Sequence, residues 1–208
     1  GGFHGLLNIS QGAAVIANWV SSTAGAYREV GLEIKGAGSL ELKGNMLVEL
    51  TGDNRYFSGN VKLSSGVLRL GSENAVGSNS TGSITFSGGT LQYSTNNQVD
   101  YSGRVVSTAN QPISIDTYGQ DVTFASALSG DGSSLTKLGA GTLTLRGANT
   151  YSGATTIGEG TLKLGSATAL GRADGGTTVA SGAVLDLNGQ AVSNAEALTI
   201  SGEGIDAG

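Results

Sequence analysis

A short motif, Gly-x-Leu-x-Leu, recurs along this chain and constrains its fold more than any other feature. In its clearest copies, Gly141–Leu145 and Gly160–Leu164, leucines alternate with polar residues. This alternation is typical of a strand with one buried face, because successive side chains point to opposite sides of a strand. Glycines stand between these segments, where turns are required. The pattern predicts an all-β chain of short strands separated by glycine-containing turns.

The copies recur at the spacing of a solenoid repeat. Their first leucines are Leu40, Leu68, Leu91, Leu143, Leu162 and Leu185, with one gap, between Leu91 and Leu143, that is clearly wider than the rest. A further copy near Ile113–Ile115 or Val122–Phe124 would divide this wide gap. We therefore expect a β-helix whose turns, or rungs, have roughly 20 to 28 residues and about three short strands each.

A longer period indicates two diverged copies of a larger module. The segment around Phe57 and Leu68 matches the segment around Tyr151 and Leu162, and the offset between matching positions is constant. We expect residues 1–208 to be a single β-helical segment of a longer protein, in four parts. These parts are residues 1–36 as irregular first rungs, 37–94 as the first module, 95–138 as less regular rungs, and 139–208 as the second module.

The segment from Gly139 to Gly171 resembles a known repeat family. It reads GAGTLTLRGANTYSGATTIGEGTLKLG followed by SATALG. It keeps the order Gly-x-Leu-x-Leu, Gly-x-Asn-x-Tyr-x-Gly, Gly-x-Leu-x-Leu-Gly and Ala-Leu-Gly of the passenger-associated transport repeat of autotransporters. The resemblance implies a right-handed parallel β-helix that is carried on the cell surface, or secreted, by a Gram-negative bacterium. It also implies that the full-length protein has its own C-terminal outer-membrane β-barrel as a partner.

Composition narrows the possible folds and partners. With 36 glycines, one proline and 5% aromatic residues, the chain is poorly suited to a single globular core, and we expect a narrow interior of small aliphatic side chains. A net charge of −5 without a basic cluster argues against nucleic acid as a partner. Without cysteine, strand stacking must supply the stability. We find no membrane helix, signal peptide or capping segment in the sequence, which indicates a fragment of a longer array.

Position within the motif predicts which side chains are buried. The residues expected to point inward and stack are Leu40, Leu42, Leu68, Leu70, Leu143, Leu145, Leu162, Leu164, Leu185 and Leu187. The residues expected to face solvent are Glu41, Arg69, Gln92, Thr144, Lys163 and Asp186. Asn54 and Asn149 occupy equivalent turns, where asparagine binds the backbone and tolerates left-handed conformations. Phe57 and Tyr151, also at matching positions, are expected to cover the core at a corner.

No constellation of side chains in the sequence points to catalysis. A glycan-cleaving β-helix enzyme needs clustered carboxylates beside a basic residue. The nearest set is Asp100, Asp116 and Asp121, with Arg104 as the closest cation in sequence. His4 is the only histidine and lies at the N-terminus, where a catalytic triad is hard to build. We therefore expect no catalytic, cofactor-binding or metal-binding residues, no cofactor and no enzyme activity.

The remaining singular residues have structural explanations. Asp53 and Asp131 stand beside glycines and indicate turns rather than calcium sites. Trp19 is expected to pack between apolar neighbours. The triplets that begin at Asn8 and Asn79 match the glycosylation pattern, which is common by chance.

We favour a non-enzymatic function. In this hypothesis the chain is an adhesive stalk segment that extends from the cell and assists its own vectorial folding and secretion, because each completed rung templates the next. One alternative is a carbohydrate-active β-helix enzyme or a tailspike-like depolymerase. Another is a self-associating filament or biofilm matrix subunit. Host or neighbouring-cell surface ligands are possible partners, but the sequence does not identify a receptor.

Overall fold

A computed structural model describes residues 3–19, 26–78, 82–106, 108–192 and 195–201, without the side chains of 3–6 and 17–19. The chain divides into two compact units, Gly1–Val105 and Val106–Gly208. Each unit is a solenoid of short strands, and the strands of successive turns pair in parallel. The prediction of an all-β parallel β-helix is confirmed.

In the described part of the first unit, nine strands are followed by one short 3-10 helix. They are β1 (Phe3–Asn8), β2 (Ala14–Trp19), β3 (Tyr27–Lys35), β4 (Ser39–Gly44), β5 (Leu47–Leu50), β6 (Val61–Leu63), β7 (Val67–Leu70), β8 (Ile84–Phe86), β9 (Thr90–Gln92) and the helix Ser102–Arg104. The odd-numbered strands form one sheet in the order β1-β3-β5-β7-β9, and the even-numbered strands form another in the order β2-β4-β6-β8. All neighbours in both sheets are parallel.

The described part of the second unit repeats this arrangement. Its strands are β10 (Pro112–Asp116), β11 (Gln120–Phe124), β12 (Ser134–Leu138), β13 (Gly141–Leu145), β14 (Thr155–Ile157), β15 (Thr161–Leu164), β16 (Thr177–Val179), β17 (Val184–Asp186) and β18 (Leu198–Ile200). Strands β10-β12-β14-β16-β18 are parallel neighbours, and so are β11-β13-β15-β17.

The strand register gives the length of each turn. Leu47 pairs with Val67 of the next turn, so the turn between them is short. Phe3 pairs with Val30, so the turn between these two residues is long. Both lengths fall within the predicted range of roughly 20 to 28 residues. Among the described residues, however, each turn contributes two strands rather than three. The third side is a longer connection, such as residues 51–60, which pairs with the previous turn only through the isolated parallel bridge between Gly36 and Phe57.

Strands also occupy the regions where the repeat is weakest in sequence. Both segments proposed to divide the wide gap, around Ile113 and around Val122, are strands β10 and β11. Pro112 is the first residue of β10, where its missing N–H is tolerated. Residues 3–35, expected to be irregular, contain the paired strands β1, β2 and β3.

The alternating leucines form the core as predicted, except at the end of the second unit. Eight of the ten are buried: Leu40, Leu42, Leu68, Leu70, Leu143, Leu145, Leu162 and Leu164. Leu185 is half-buried, and Leu187 is 47% exposed, so the prediction for Leu187 is wrong. The physical reason is that β17 is the last strand of its sheet, and no described strand stacks beyond it.

Aromatic side chains complete the core beside the small aliphatic residues that composition predicts. The fully buried rings are Phe57, Phe86, Tyr93, Tyr101, Phe124 and Tyr151. All six lie at the end of a strand or in a connection, so they fill the space where strands give way to bends. The predicted packing of Phe57 and Tyr151 is confirmed, and the Tyr151 hydroxyl lies 2.7 Å from Oγ1 of Thr155.

Glycines of successive turns stack directly on one another at one bend. A Cβ on Gly59 would lie 1.5 Å from the carbonyl oxygen of Gly38, and a Cβ on Gly82 would lie 1.8 Å from that of Gly59. In the second unit, a Cβ on Gly175 would lie 2.1 Å from the carbonyl oxygen of Gly153. No other residue fits there, because the backbones of neighbouring turns approach too closely.

The leucine stack predicts a sharp contrast between adjacent positions of β15. Leu162→Ala should lower the free energy of unfolding by about 2 to 4 kcal/mol, because it removes buried methyl groups and leaves a cavity. Lys163→Ala should change it by no more than about 0.5 kcal/mol, because the Lys163 side chain faces outward. Urea unfolding of the purified chain measures both values. Similar losses from the two variants would contradict this assignment of inner and outer faces.

Candidate functional site

A buried asparagine links three successive turns of the first unit. Asn54 lies in the connection between β5 and β6 and is fully buried. Its Oδ1 accepts a hydrogen bond from the Ile34 backbone N–H at 2.6 Å, and its Nδ2 donates to the Ala75 carbonyl at 2.6 Å. Ile34 belongs to the turn before Asn54, and Ala75 to the turn after it. One side chain thus satisfies backbone groups on both sides.

Asn149 does the same in the second unit. Its Oδ1 accepts from the Leu128 backbone N–H at 2.7 Å, and its Nδ2 donates to the Ala169 carbonyl at 2.5 Å. The predicted backbone-binding role of both asparagines is confirmed. The left-handed conformation is not part of it, since other asparagines, Asn110 and Asn188, are the ones with positive φ.

Lys137 is a buried cation that the sequence analysis did not single out. It lies on β12 and is fully buried. Its Nζ donates hydrogen bonds to the carbonyls of Leu138 at 3.0 Å, Gly139 at 2.6 Å and Glu159 at 3.1 Å. Burial lowers the pKa of Lys137 to about 8, while the charges of Asp116 and Glu159 act in the opposite direction. The alternation in β12 was the available signal, because it puts Lys137 on the face of Leu135.

The three aspartates considered for catalysis all bind backbone. Asp100 accepts from Ser102 N–H at 2.8 Å, in the first unit. In the second unit, Asp116 accepts from the N–H of Tyr118 at 2.8 Å, and Asp121 from that of Thr142 at 3.1 Å. The first two bonds shape turns, and the third joins neighbouring strands. These roles are structural.

Arg104, the cation nearest to these aspartates in sequence, also binds backbone. It is buried, and its guanidinium donates to the carbonyls of Gly82 at 3.0 Å, Val76 at 2.8 Å and Ser78 at 3.0 Å. The guanidinium carbon Cζ of Arg104 lies 5.6 Å from the centroid of the Tyr101 ring. Arg104 therefore fixes the backbone at Val76, Ser78 and Gly82.

Within the described ranges, no group of three or more histidine, cysteine, aspartate or glutamate residues is arranged to hold a metal ion. Asp53 and Asp131 form ion pairs with Arg55 at 2.5 Å and Arg172 at 3.2 Å. The side chains of His4 and Trp19 and the triplet at Asn79 lie outside the described residues. In the part of the chain that the structure covers, no helix has the length and apolar character of a membrane span.

The outer faces of the first unit carry charges that neutralise one another. On the sheet of even-numbered strands, Glu41 lies 3.5 Å from Lys43 and 3.2 Å from Lys62, and it accepts a hydrogen bond from the Ser64 hydroxyl at 2.6 Å. The Ser64 hydrogen bond is the main cause that lowers the pKa of Glu41, and the two lysines add to it. The charges on this face are therefore already paired within the protein.

The outer face of the other sheet contains the second residue whose exposure was predicted wrongly. Glu49, Arg69 and Gln92 are in register on β5, β7 and β9. Arg69 Nε donates to Gln92 Oε1 at 2.5 Å, and Gln92 is only 6% exposed. The prediction that Gln92 faces solvent is wrong, because its neighbour in the previous turn lies against it.

The second unit has a polar groove of about 430 Å³ on the outer face of the β11-β13-β15-β17 sheet. The residues that line it are Asp121, Val122, Thr123, Thr142, Thr144, Arg146, Lys163, Gly165 and Asn188. Lys163 lies 3.4 Å from Asp186 across neighbouring strands. Unlike the faces of the first unit, this groove is rich in hydroxyl groups.

The buried asparagines predict that a hydrogen bond from side chain to backbone contributes more to stability when it is buried than when it is exposed. Asn149→Ala should lower the free energy of unfolding by about 2 to 4 kcal/mol, since it leaves two buried backbone groups without a hydrogen-bond partner. Asn60 is the matched control, because its Oδ1 accepts from Ser83 N–H at 2.9 Å but the residue is exposed. Asn60→Ala should cost about 1 kcal/mol or less, since water replaces the amide. Equal costs in denaturant unfolding would refute the role assigned to burial.

Lys137 predicts a pH dependence of stability. Its pKa of about 8 in the fold is below its ordinary value of 10.5, so the unfolded chain binds more protons between these values. The contribution of Lys137 to the free energy of unfolding should therefore rise by about 2 kcal/mol from pH 8 to pH 10. The raised pKa values of Tyr27, Tyr93, Tyr101 and Tyr151 oppose this trend as the pH approaches and passes 10, because the fold keeps these phenols protonated.

The control for this prediction is Lys137→Met, which keeps a long side chain without a titrating group. Its stability should be lower overall, because three carbonyls lose a donor, but it should lack the Lys137 part of the rise between pH 8 and pH 10. Denaturant unfolding at four pH values measures the slope. An identical slope in both proteins would rule out Lys137 as its source.

Parts of the chain are similar to known proteins. The passenger-associated-transport-repeat family matches it twice, over residues 61–92 and 135–164. Among curated proteins, the adhesin BmaC autotransporter of Brucella suis biovar 1 (strain 1330) is 32% identical over 149 residues. That alignment covers 67% of this chain and 4% of the relative, so the chain spans only a small part of its relative's length. No solved structure matches.

The two matched segments coincide with strands of both units. Residues 61–92 contain β6 to β9, and residues 135–164 contain nearly all of β12 to β15. Their strands stack in parallel turns, as the resemblance in sequence implied. These relationships indicate a protein of the cell surface, or a secreted one, from a Gram-negative bacterium. The chain belongs to the autotransporter passengers that carry passenger-associated transport repeats.

Proposed function

We propose that this chain is a non-enzymatic, adhesive segment of an autotransporter passenger, and that its stacked turns extend from the cell and assist their own folding during secretion. The observation that carries the proposal is the in-register parallel stacking of the turns in each unit. Such a stack grows by adding turns to an existing edge, which suits a polypeptide that emerges progressively from a membrane.

The growing edge supplies the mechanism of folding. A completed turn presents unpaired backbone N–H and C=O groups, and the next turn pairs with them. Each new turn closes a loop of only about 20 residues, so its entropic cost stays modest and constant along the chain. Asn54 and Asn149 add side-chain bonds to both neighbouring turns. Folding outside the membrane would then oppose backward movement of the polypeptide.

An adhesive role is supported by the relative, whose name describes it as an adhesin. The outer face of the second unit supports it too, since it carries a hydroxyl-rich groove. The partner for export would be a C-terminal outer-membrane translocator domain of the full-length protein.

A non-enzymatic role agrees with the chemistry of the carboxylates. A glycan-cleaving site needs two carboxyl groups that face one substrate. Asp100, Asp116 and Asp121 instead accept hydrogen bonds from the backbone. In this proposal the chain recognises a surface ligand without transforming it.

The contribution to secretion can be measured in the full-length parent protein. Leu143→Asn and Leu162→Asn place polar groups in the core of the most regular repeat, at about 1 to 3 kcal/mol each, and should remove a local template. Surface-exposed passenger per cell, measured by protease shaving with total protein as reference, should fall strongly.

The matched controls are Ile9→Asn and Ile34→Asn, which change equally buried residues at the N-terminal end of the first unit. They should reduce surface display less, because the repeat that we expect to nucleate folding is intact. Equal losses from both pairs would mean that the repeat has no special part in secretion.

A further inference from the structure

We propose that the polar groove of the second unit binds a carboxylated glycan chain, with Arg146 as the residue that binds the carboxylate. This inference rests on the proposed adhesive function and names the ligand class of one surface. It starts from the groove on the β11-β13-β15-β17 sheet, which has a volume of about 430 Å³. Its lining combines one exposed guanidinium with several hydroxyl groups.

Arg146 is the cation available to a ligand. It directly follows β13 and is exposed, and its guanidinium makes no hydrogen bond or ion pair with any residue that the structure describes. A Cβ at Gly165 would lie 2.7 Å from Cγ of Arg146, so the absence of a side chain there leaves room for the arginine stem. A planar guanidinium binds a planar carboxylate through two parallel hydrogen bonds.

Threonine hydroxyls line the floor of the groove. Thr123 and Thr144 are in register on β11 and β13, and Thr142 is in register with Asp121. None of the three threonine hydroxyls bonds to another described group. Neighbouring strands lie about 4.8 Å apart, similar to the length of one sugar in an extended glycan. A sugar chain that crosses the strands would therefore meet the hydroxyls of Thr123 and Thr144 on β11 and β13, and then Lys163 on β15.

The other charges of the groove fit a ligand that has both carboxylate and hydroxyl groups. Lys163 is paired with Asp186 at 3.4 Å, so Arg146 is the freer cation. Asp121 lies at the start of β11, about 13 Å along the strand direction from the level of Arg146. At that distance its carboxylate does not neutralise the guanidinium. It can instead accept hydrogen bonds from sugar hydroxyls at the other end of the groove.

The first unit lacks such a combination on its described outer faces. Glu41 is held by Lys43 and Lys62, and Arg69 by Gln92 with Glu49 nearby. A carboxylated ligand would have to break these pairs to bind there. The geometry therefore favours the groove of the second unit.

The test is calorimetric titration of the purified chain with oligogalacturonate, its fully methyl-esterified form, neutral dextran and sulfated dextran. We expect oligogalacturonate to bind and the ester and neutral dextran to bind at least roughly tenfold more weakly. Arg146→Ala should weaken binding roughly 10- to 100-fold, and Arg146→Lys should restore only part of it. Thr144→Val should weaken binding a few-fold.

Two variants are matched controls for net charge. Lys62→Ala removes a cation from the paired face of the first unit, and Arg172→Ala removes an exposed arginine of the second unit that pairs with Asp131. Both should leave the affinity unchanged. Thermal unfolding followed by circular dichroism shows that each variant is folded.

Three results would overturn the proposal: no binding of oligogalacturonate, equal affinity for its methyl ester, or equal losses from Arg172→Ala and Arg146→Ala. Tighter binding of sulfated dextran than of oligogalacturonate would also overturn it, because the site would then recognise anionic charge and not carboxylate. Adhesion of chain-coated beads to cells is measured in parallel. Adhesion that persists in Arg146→Ala, although this variant has lost glycan binding, would reject the groove as the adhesive surface and leave the adhesive function standing. Glycan binding without adhesion would reject the adhesive function alone.

Discussion

The close approach of backbone to backbone at the bends is the constraint on which the rest of this structure depends. Where Gly59 lies on Gly38, and Gly175 on Gly153, no Cβ can be accommodated. Turns at this separation can pair their strands, so the leucines of successive turns meet in one continuous core within each unit. Buried polar backbone must then be satisfied from within, and Asn54 and Asn149 do this where no strand pairing is available.

The sequence predicted the parts of the fold that follow from local alternation. Leu143, Leu145, Leu162 and Leu164 are buried because a period of two puts them on one face of a strand. The errors came from features that depend on neighbouring turns. Leu187 is exposed since no described strand lies beyond β17, although its own segment alternates like the others. Gln92 lies on an outer face but is buried, because Arg69 of the previous turn lies against it. The sequence around Gln92 alone does not reveal this contact.

The candidate site was less predictable, since it is formed by residues of several turns. Thr123, Arg146 and Lys163 belong to three different turns, and only the strand register brings them to one groove. Lys137 was within reach of sequence reasoning, because the alternation of β12 puts it inside. Its charge argued against burial, and two of the three carbonyls that compensate for it, those of Gly139 and Glu159, belong to bends whose geometry the sequence does not specify.

The side-chain amide of Asn54 has a consequence for how such a protein can change its length. It contacts one residue 20 positions earlier and another 21 positions later, so each turn is recognised by both of its neighbours. A deletion of a few residues within a strand would shift every contact that follows it. Removal or duplication of one whole turn would bring the backbone of another turn to the same place beside Asn54. Gene segments that encode whole turns are thus the natural units by which a passenger of this kind lengthens or shortens.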